Sequence, residues 1–108
     1  FDVELAVAGG RVLSSDGQLI DPTSLEIVAS FNTFPAFNVV VDAARDRAWF
    51  VSVTGVRLFD LSQQRALRST DAPEGSTFAL LARAGDRLLV ETRERGRVLS
   101  LDADDLTP

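Results

Sequence analysis

The 108 residues, 45% hydrophobic and 25% charged with a formal charge of -5, have the make-up of one globular domain long enough to bury a core. The absence of Cys and His excludes disulfides, a thiolate nucleophile, a serine triad, a His general base and a His-bound zinc site within this chain. All 11 basic residues are Arg, so a P-loop lysine and Schiff-base chemistry are excluded too, leaving carboxylate pairs or a carboxylate-bound metal.

In chain order, Val3–Ala8 alternates apolar and polar residues and runs into Gly9-Gly10, a turn signal. Arg11–Ser14 is the next predicted strand, turned at Ser15-Asp16-Gly17 into Gln18–Ile20. Asp21-Pro22-Thr23-Ser24 breaks the chain again, because Pro fixes φ and has no donor for a ladder. Leu25–Phe31 is expected to place Leu25, Ile27, Ala29 and Phe31 on one face of an outer strand.

Beyond the loop 32–36 the scheme recurs. Phe37–Asp42, Arg47–Val53, Val56–Asp60 and Arg65–Ser69 read as strands, with turns at 43–46, at Thr54-Gly55 and at 61–64. Arg47–Val53 is apolar on both faces and predicts a strand covered on both sides, with Trp49 in the core. A polar loop over 70–77 leads to Phe78–Arg83, Arg87–Thr92 and Arg97–Leu101. The tail 102–108 stands where a fourth strand is due.

Aligned on their turns, the stretches share anchors. Gly10-Arg11, Asp46-Arg47 and Asp86-Arg87 open the second strands, Gly17, Gly55 and Gly96 the next turns, and Asp21, Asp60 and Asp102 close the third strands. The three Arg lie 36 and 40 residues apart and the three Asp 39 and 42, a period typical of four-stranded propeller blades. The expected fold is all-β, a segment of a β-propeller with about two and three-quarter four-stranded antiparallel blades. The whole chain, 1–108, is read as one such segment, with units near 3–31, 37–69 and 78–108. The alternative source of such turns is an all-β sandwich.

Asp42, Asp46-Arg47, Trp49-Phe50-Val51 and Val56-Arg57-Leu58-Phe59-Asp60 resemble the bacterial YVTN-type propeller repeat: an Asp-containing turn, a basic residue, an aromatic-Val strand and an apolar strand ending in Asp. The middle unit carries the resemblance. Val12-Leu13 and Leu88-Leu89-Val90 replace the aromatic pair in its neighbours, and the Tyr-Val-Thr-Asn signature is missing. The resemblance implies a bacterial, extracellular or periplasmic protein. It implies no single activity, because surface proteins, lactonase-like enzymes and dehydrogenase-like propellers share this group.

A blade of this kind puts the turn between its second and third strands on the same end as the connection to the next blade. On that end the candidate binding residues are Asp16, Phe34, Glu74, Arg93, Glu94 and Arg95. Asp16, Glu74 and Glu94 are also the acids placed for carboxylate catalysis, though nothing in the sequence sets their separation. Asp102-Ala103-Asp104-Asp105 offers oxygen ligands at a spacing suggestive of calcium but lacks the Gly and distal Glu of an EF-hand, and a solvated turn is expected there. No metal, cofactor or catalytic residue is assigned.

The functional expectation is a non-catalytic propeller segment, a scaffold or binding module for protein or carbohydrate partners. The alternative is part of a lactonase-like or dehydrogenase-like propeller enzyme whose site lies mostly in other blades. The acidic charge is spread without a basic stripe, so no nucleic-acid partner is expected, and no apolar run approaches the ~20 residues of a membrane span. A chain that opens at Phe1 and contains no Met reads as a piece of a longer polypeptide. Its terminal blade faces are expected to self-associate or to pack against further blades.

Overall fold

Alternating apolar positions between turn residues produce strands throughout. The computed structural model describes residues 5–8, 10–31, 36, 38–93 and 97–108, with the side chains of Ala8 and Leu80 excepted. Its strands follow one another as antiparallel meanders. Sheet 1 holds β1 (Leu5–Ala8), β2 (Arg11–Ser14), β3 (Gln18–Ile20) and β4 (Ile27–Ser30). Sheet 2 holds β5 (Asn38–Asp42), β6 (Arg47–Ser52), β7 (Gly55–Asp60) and β8 (Arg65–Asp71), and sheet 3 holds β9 (Phe78–Ala84), β10 (Arg87–Thr92) and β11 (Val98–Asp102). The chain is therefore all-β, built as three antiparallel sheets in sequence order.

Sheet 2 lies in the middle because β6 is apolar on both faces. Ala48 and Phe50 point into a core with Leu13, Leu19 and Phe31 of sheet 1. Trp49 and Val51 point the other way, into a core with Leu81, Leu88, Val90 and Leu101 of sheet 3. In the first core, Phe59 meets Phe31 at a centroid distance of 5.1 Å and Phe50 edge-on at 5.4 Å. In the second, the fully buried Trp49 donates its indole N–H to the Ala103 carbonyl at 2.8 Å, a bond from sheet 2 to the end of sheet 3.

One turn recurs after the third strand of each sheet. The Asp21 carboxylate accepts the amides of Thr23 and Ser24 at 2.7 and 3.1 Å. Asp60 accepts Gln63 N–H at 2.9 Å and the Ser62 hydroxyl at 2.8 Å, and Asp102 accepts the amides of Asp104 and Asp105 at 2.8 and 3.1 Å. Each turn closes on a left-handed residue: Leu25 (φ 62°), Gln64 (φ 55°) and Leu106 (φ 61°). Asp42 starts a related turn, accepting from Ala44 N–H at 3.1 Å and ending at Asp46 with φ 55°. The carboxylate does locally what a backbone carbonyl does in an ordinary turn, which is why Asp recurs at that place.

Two sequence expectations are corrected. The strand expected over Leu25–Phe31 starts at Ile27, because Leu25 is the left-handed residue of its turn. A bulge then leaves Val28 unpaired between Ile20↔Ile27 and Leu19↔Ala29. It reverses the alternation, so Ile27 lies 55% exposed beside Ile20 while Ala29 packs inward with Leu19 and Phe31. Gly55, expected as a turn residue, instead opens β7 outside the left-handed region. Glycine is required there because a Cβ would sit 2.3 Å from the Thr70 carbonyl oxygen. Gly17, at φ 93°, conforms to the turn reading, and Gly96 lies outside the described residues.

Candidate functional site

The meander order sends the turns after β2, β6 and β10 to one end of the sheets, together with the connections between sheets. This is the end expected for Asp16, Glu74 and Arg93. Phe34, Glu94 and Arg95 lie outside the described residues.

Backbone hydrogen bonds knit this end together. Gly17 N–H donates to Ser14 O at 3.0 Å and Phe31 N–H to Gly17 O at 2.7 Å, tying the Asp16 turn to the residue that ends sheet 1. Ala72 N–H donates to Thr54 O at 2.7 Å and Phe78 N–H to Val53 O at 3.0 Å, so the β6–β7 turn braces the crossing into sheet 3. Arg93 N–H donates to Thr77 O at 2.9 Å, bringing the Arg93 turn onto the loop that carries Glu74. The Ser14 hydroxyl bonds the Asp16 carboxylate, and Gln18 N–H donates back to that hydroxyl at 3.1 Å.

Asp16, Glu74 and Arg93 are all exposed, and no ion pair among the described residues joins them. Arg93 and Glu74 are brought onto neighbouring loops; no described contact links Asp16 to them. One cavity at this end has a volume of about 40 Å³, lined by Phe50, Ser52, Thr54 and the start of β7, and a more open one of about 300 Å³ lies between Asn38, Leu81, Glu91 and Val98.

Among the described residues, the opposite end holds most of the paired charge, which sequence reasoning missed. Arg11 of sheet 1 bonds Asp46 of sheet 2 at 2.5 Å. Arg45 and Arg47 of sheet 2 share the Asp104 carboxylate of sheet 3 at 2.8 and 3.1 Å. Asp42 is nearly buried between Arg45 at 2.8 Å and Arg83 of sheet 3 at 3.2 Å, while the Arg83 guanidinium lies 5.4 Å from the Trp49 ring centroid. The bond from Arg45 holds the Asp42 carboxyl below the usual carboxylate range; burial opposes this, and Arg83 adds to it. The Asp46-Arg47 and Asp86-Arg87 pairs were visible as turn anchors, yet cross-sheet partners become visible only once the sheets are stacked.

The acidic run 102–105 is used locally. Asp102 caps its own turn, Asp104 serves Arg45 and Arg47, and Asp105 accepts from the Thr107 hydroxyl at 2.6 Å and its amide at 3.0 Å. Among the described residues no group of three or more His, Cys, Asp or Glu is placed to hold a metal ion. Nor is any helix there long and apolar enough to cross a membrane. No family model matches the chain, and no curated protein matches it.

Proposed function

We propose that the chain is a non-catalytic segment of a bacterial extracytoplasmic β-propeller, serving as a scaffold that binds protein or carbohydrate partners through loops at the Gly17 end. The observation that carries the binding part is the bracing of the Thr54, Glu74 and Arg93 loops by Ala72–Thr54, Phe78–Val53 and Arg93–Thr77 hydrogen bonds. Fixed backbones under exposed polar side chains form a preorganised recognition surface. The blade reading draws support from three meanders packed in sequence order around a doubly covered middle sheet. It also draws support from the outer face of sheet 1, where Val7, Val12, Ile20 and Ile27 form a cross-strand row with Val7 74% exposed. Val12 and Ile20 hold the places that the buried Ala48 and Phe59 hold in sheet 2, the chemistry of a face made to meet another sheet.

The test is binding on a glycan array and to purified bacterial surface proteins, comparing the wild type with a triple variant Asp16→Ala, Glu74→Ala, Arg93→Ala. The expected result is a partner whose affinity falls at least about tenfold in the variant while the circular dichroism is unchanged. Equal binding by both proteins would reject this end as the recognition surface.

A further inference from the structure

Among the described residues sheet 3 has three strands, and β11 is its outer edge. The turn that follows β11 is the one that delivers a fourth strand to the other sheets. In sheet 1, Leu25 N–H donates to Asp21 O at 2.8 Å and Asp21 N–H to Glu26 O at 2.9 Å, and β4 begins at the next residue. In sheet 3, Leu106 N–H donates to Asp102 O at 2.8 Å and Asp102 N–H to Thr107 O at 2.6 Å. The corresponding pair in sheet 2, Asp60↔Arg65, is the first rung of the β7–β8 ladder. Asp102–Thr107 thus matches, bond for bond, the Asp21–Glu26 pair that precedes the fourth strand of sheet 1.

Two further features fit that match. The fourth strands of sheets 1 and 2 are bulged at the same place, with Val28 unpaired after Ile27 and Leu67 after Ala66. Pro108 occupies the place of Ile27 and Ala66, one step beyond a hydrogen-bonded rung, where an antiparallel strand turns its N–H away from its partner. Proline is tolerated there because no ladder donor is lost.

The edge also carries a substitute partner. Ala103 N–H bonds Asp86 O, so alternation directs the peptide groups of Asp102, Ser100 and Val98 away from β10. Arg11 and Arg47 reach across to neighbouring sheets, whereas Arg87, at the same place in sheet 3, folds along its own sheet. It donates to the outward Ser100 carbonyl at 3.0 Å and to the Ser100 hydroxyl at 2.9 Å.

We propose that the β11 edge is a strand-docking site, filled antiparallel by the polypeptide that continues from Pro108, with the residue after Pro108 in the bulge. Docking places a backbone amide on the Ser100 carbonyl and releases Arg87 for a carboxylate of an adjoining sheet. The continuing segment is favoured over a strand from a second copy because Thr107 already accepts from Asp102, which makes the rungs beyond it intramolecular.

The experiment compares the chain with a version extended after Pro108 by Leu-Arg-Ser-Thr-Asp, the residues 67–71 that follow the same position in β8. Amide exchange at Ser100 and Val98 is read by NMR, with light scattering on both proteins and Trp49 fluorescence as the check on folding. The extended chain is expected to stay monomeric and to exchange on the order of tenfold more slowly at these two amides. The free peptide Pro-Leu-Arg-Ser-Thr-Asp added in trans is expected to slow the same amides saturably, a second reading should the extended chain fold poorly. Unchanged exchange in both formats overturns the proposal, as does slowing in the unextended chain that grows with concentration, which assigns the edge to a second copy. Either failure leaves the loop-binding reading intact, since that reading is measured by partner binding to the Glu74 and Arg93 loops and not by exchange along β11.

Discussion

Trp49→Phe tests whether sheets 2 and 3 are fastened as described. Trp49 is fully buried and its N–H satisfies the Ala103 carbonyl, itself on a residue with no exposed surface. Phenylalanine keeps an aromatic ring on β6 but removes about three ring atoms, worth about 2 kcal/mol of burial. It also orphans a buried carbonyl at about 1 to 2 kcal/mol. The sum, about 3 to 4 kcal/mol, is a large share of the roughly 5 to 15 kcal/mol that holds a domain of this size. The assay is urea unfolding followed by far-ultraviolet circular dichroism, since the variant lacks the sole tryptophan. The midpoint is expected to fall with the slope unchanged, as for a stability loss without a change in the surface exposed. A loss under about 1 kcal/mol refutes the reasoning, because it means that the Ala103 carbonyl finds another partner and that the core closes over the missing ring.

Leu25→Gly and Leu106→Gly separate backbone strain from burial at matching places in two turns. Both residues are left-handed, but Leu25 is 77% exposed and Leu106 is buried in the core between sheets 2 and 3. In thermal melts Leu25→Gly is expected to be neutral to about 1 kcal/mol stabilising, and Leu106→Gly to cost about 2 to 3 kcal/mol. Asp42 sets an acid limit. Its carboxyl is depressed chiefly by Arg45, so near the unfolded value of about 3.9 the folded state binds fewer protons than the unfolded one. Its contribution is therefore complete above that value and disappears as the pH falls through the lower folded one. Urea midpoints between about pH 6 and pH 2.5 are expected to flatten in Asp42→Asn relative to wild type.

Strand positions were legible because each depends on residues close in sequence. Alternation marked β2, β3 and β10 to the residue, and the doubly apolar Arg47–Val53 announced a middle strand covered on both sides. The recurring Asp was legible for the same reason, since its bonds reach only two or three residues ahead. What escaped depends on partners across space. The bulge that turns Ile27 outward is set by pairing with β3, and the need for Gly55 comes from Thr70 on the neighbouring strand. Counting strands was enough to assign Asp16, Glu74 and Arg93 to one end, but not to reveal that the Glu74 and Arg93 loops are hydrogen-bonded neighbours.

The two ends of the sheets use their charge differently, and the difference bears on where a partner binds. At the Asp60 end, Arg11, Arg45, Arg47 and Arg83 are engaged with Asp42, Asp46 and Asp104, joining sheet to sheet. Recruiting those groups to a ligand would break a cross-sheet pair for every bond formed with the ligand, and in the case of Asp42 would strand a nearly buried carboxylate. At the Gly17 end, backbone amides and carbonyls do the joining, which leaves the side chains of Glu74 and Arg93 facing solvent on fixed loops. A partner that engaged this charge would unmake none of the described cross-sheet pairs. Under the proposed reading, recognition would therefore cost least at the Gly17 end and substitutions there are expected to act on binding, whereas substitutions among the arginines of the other end are expected to act first on stability.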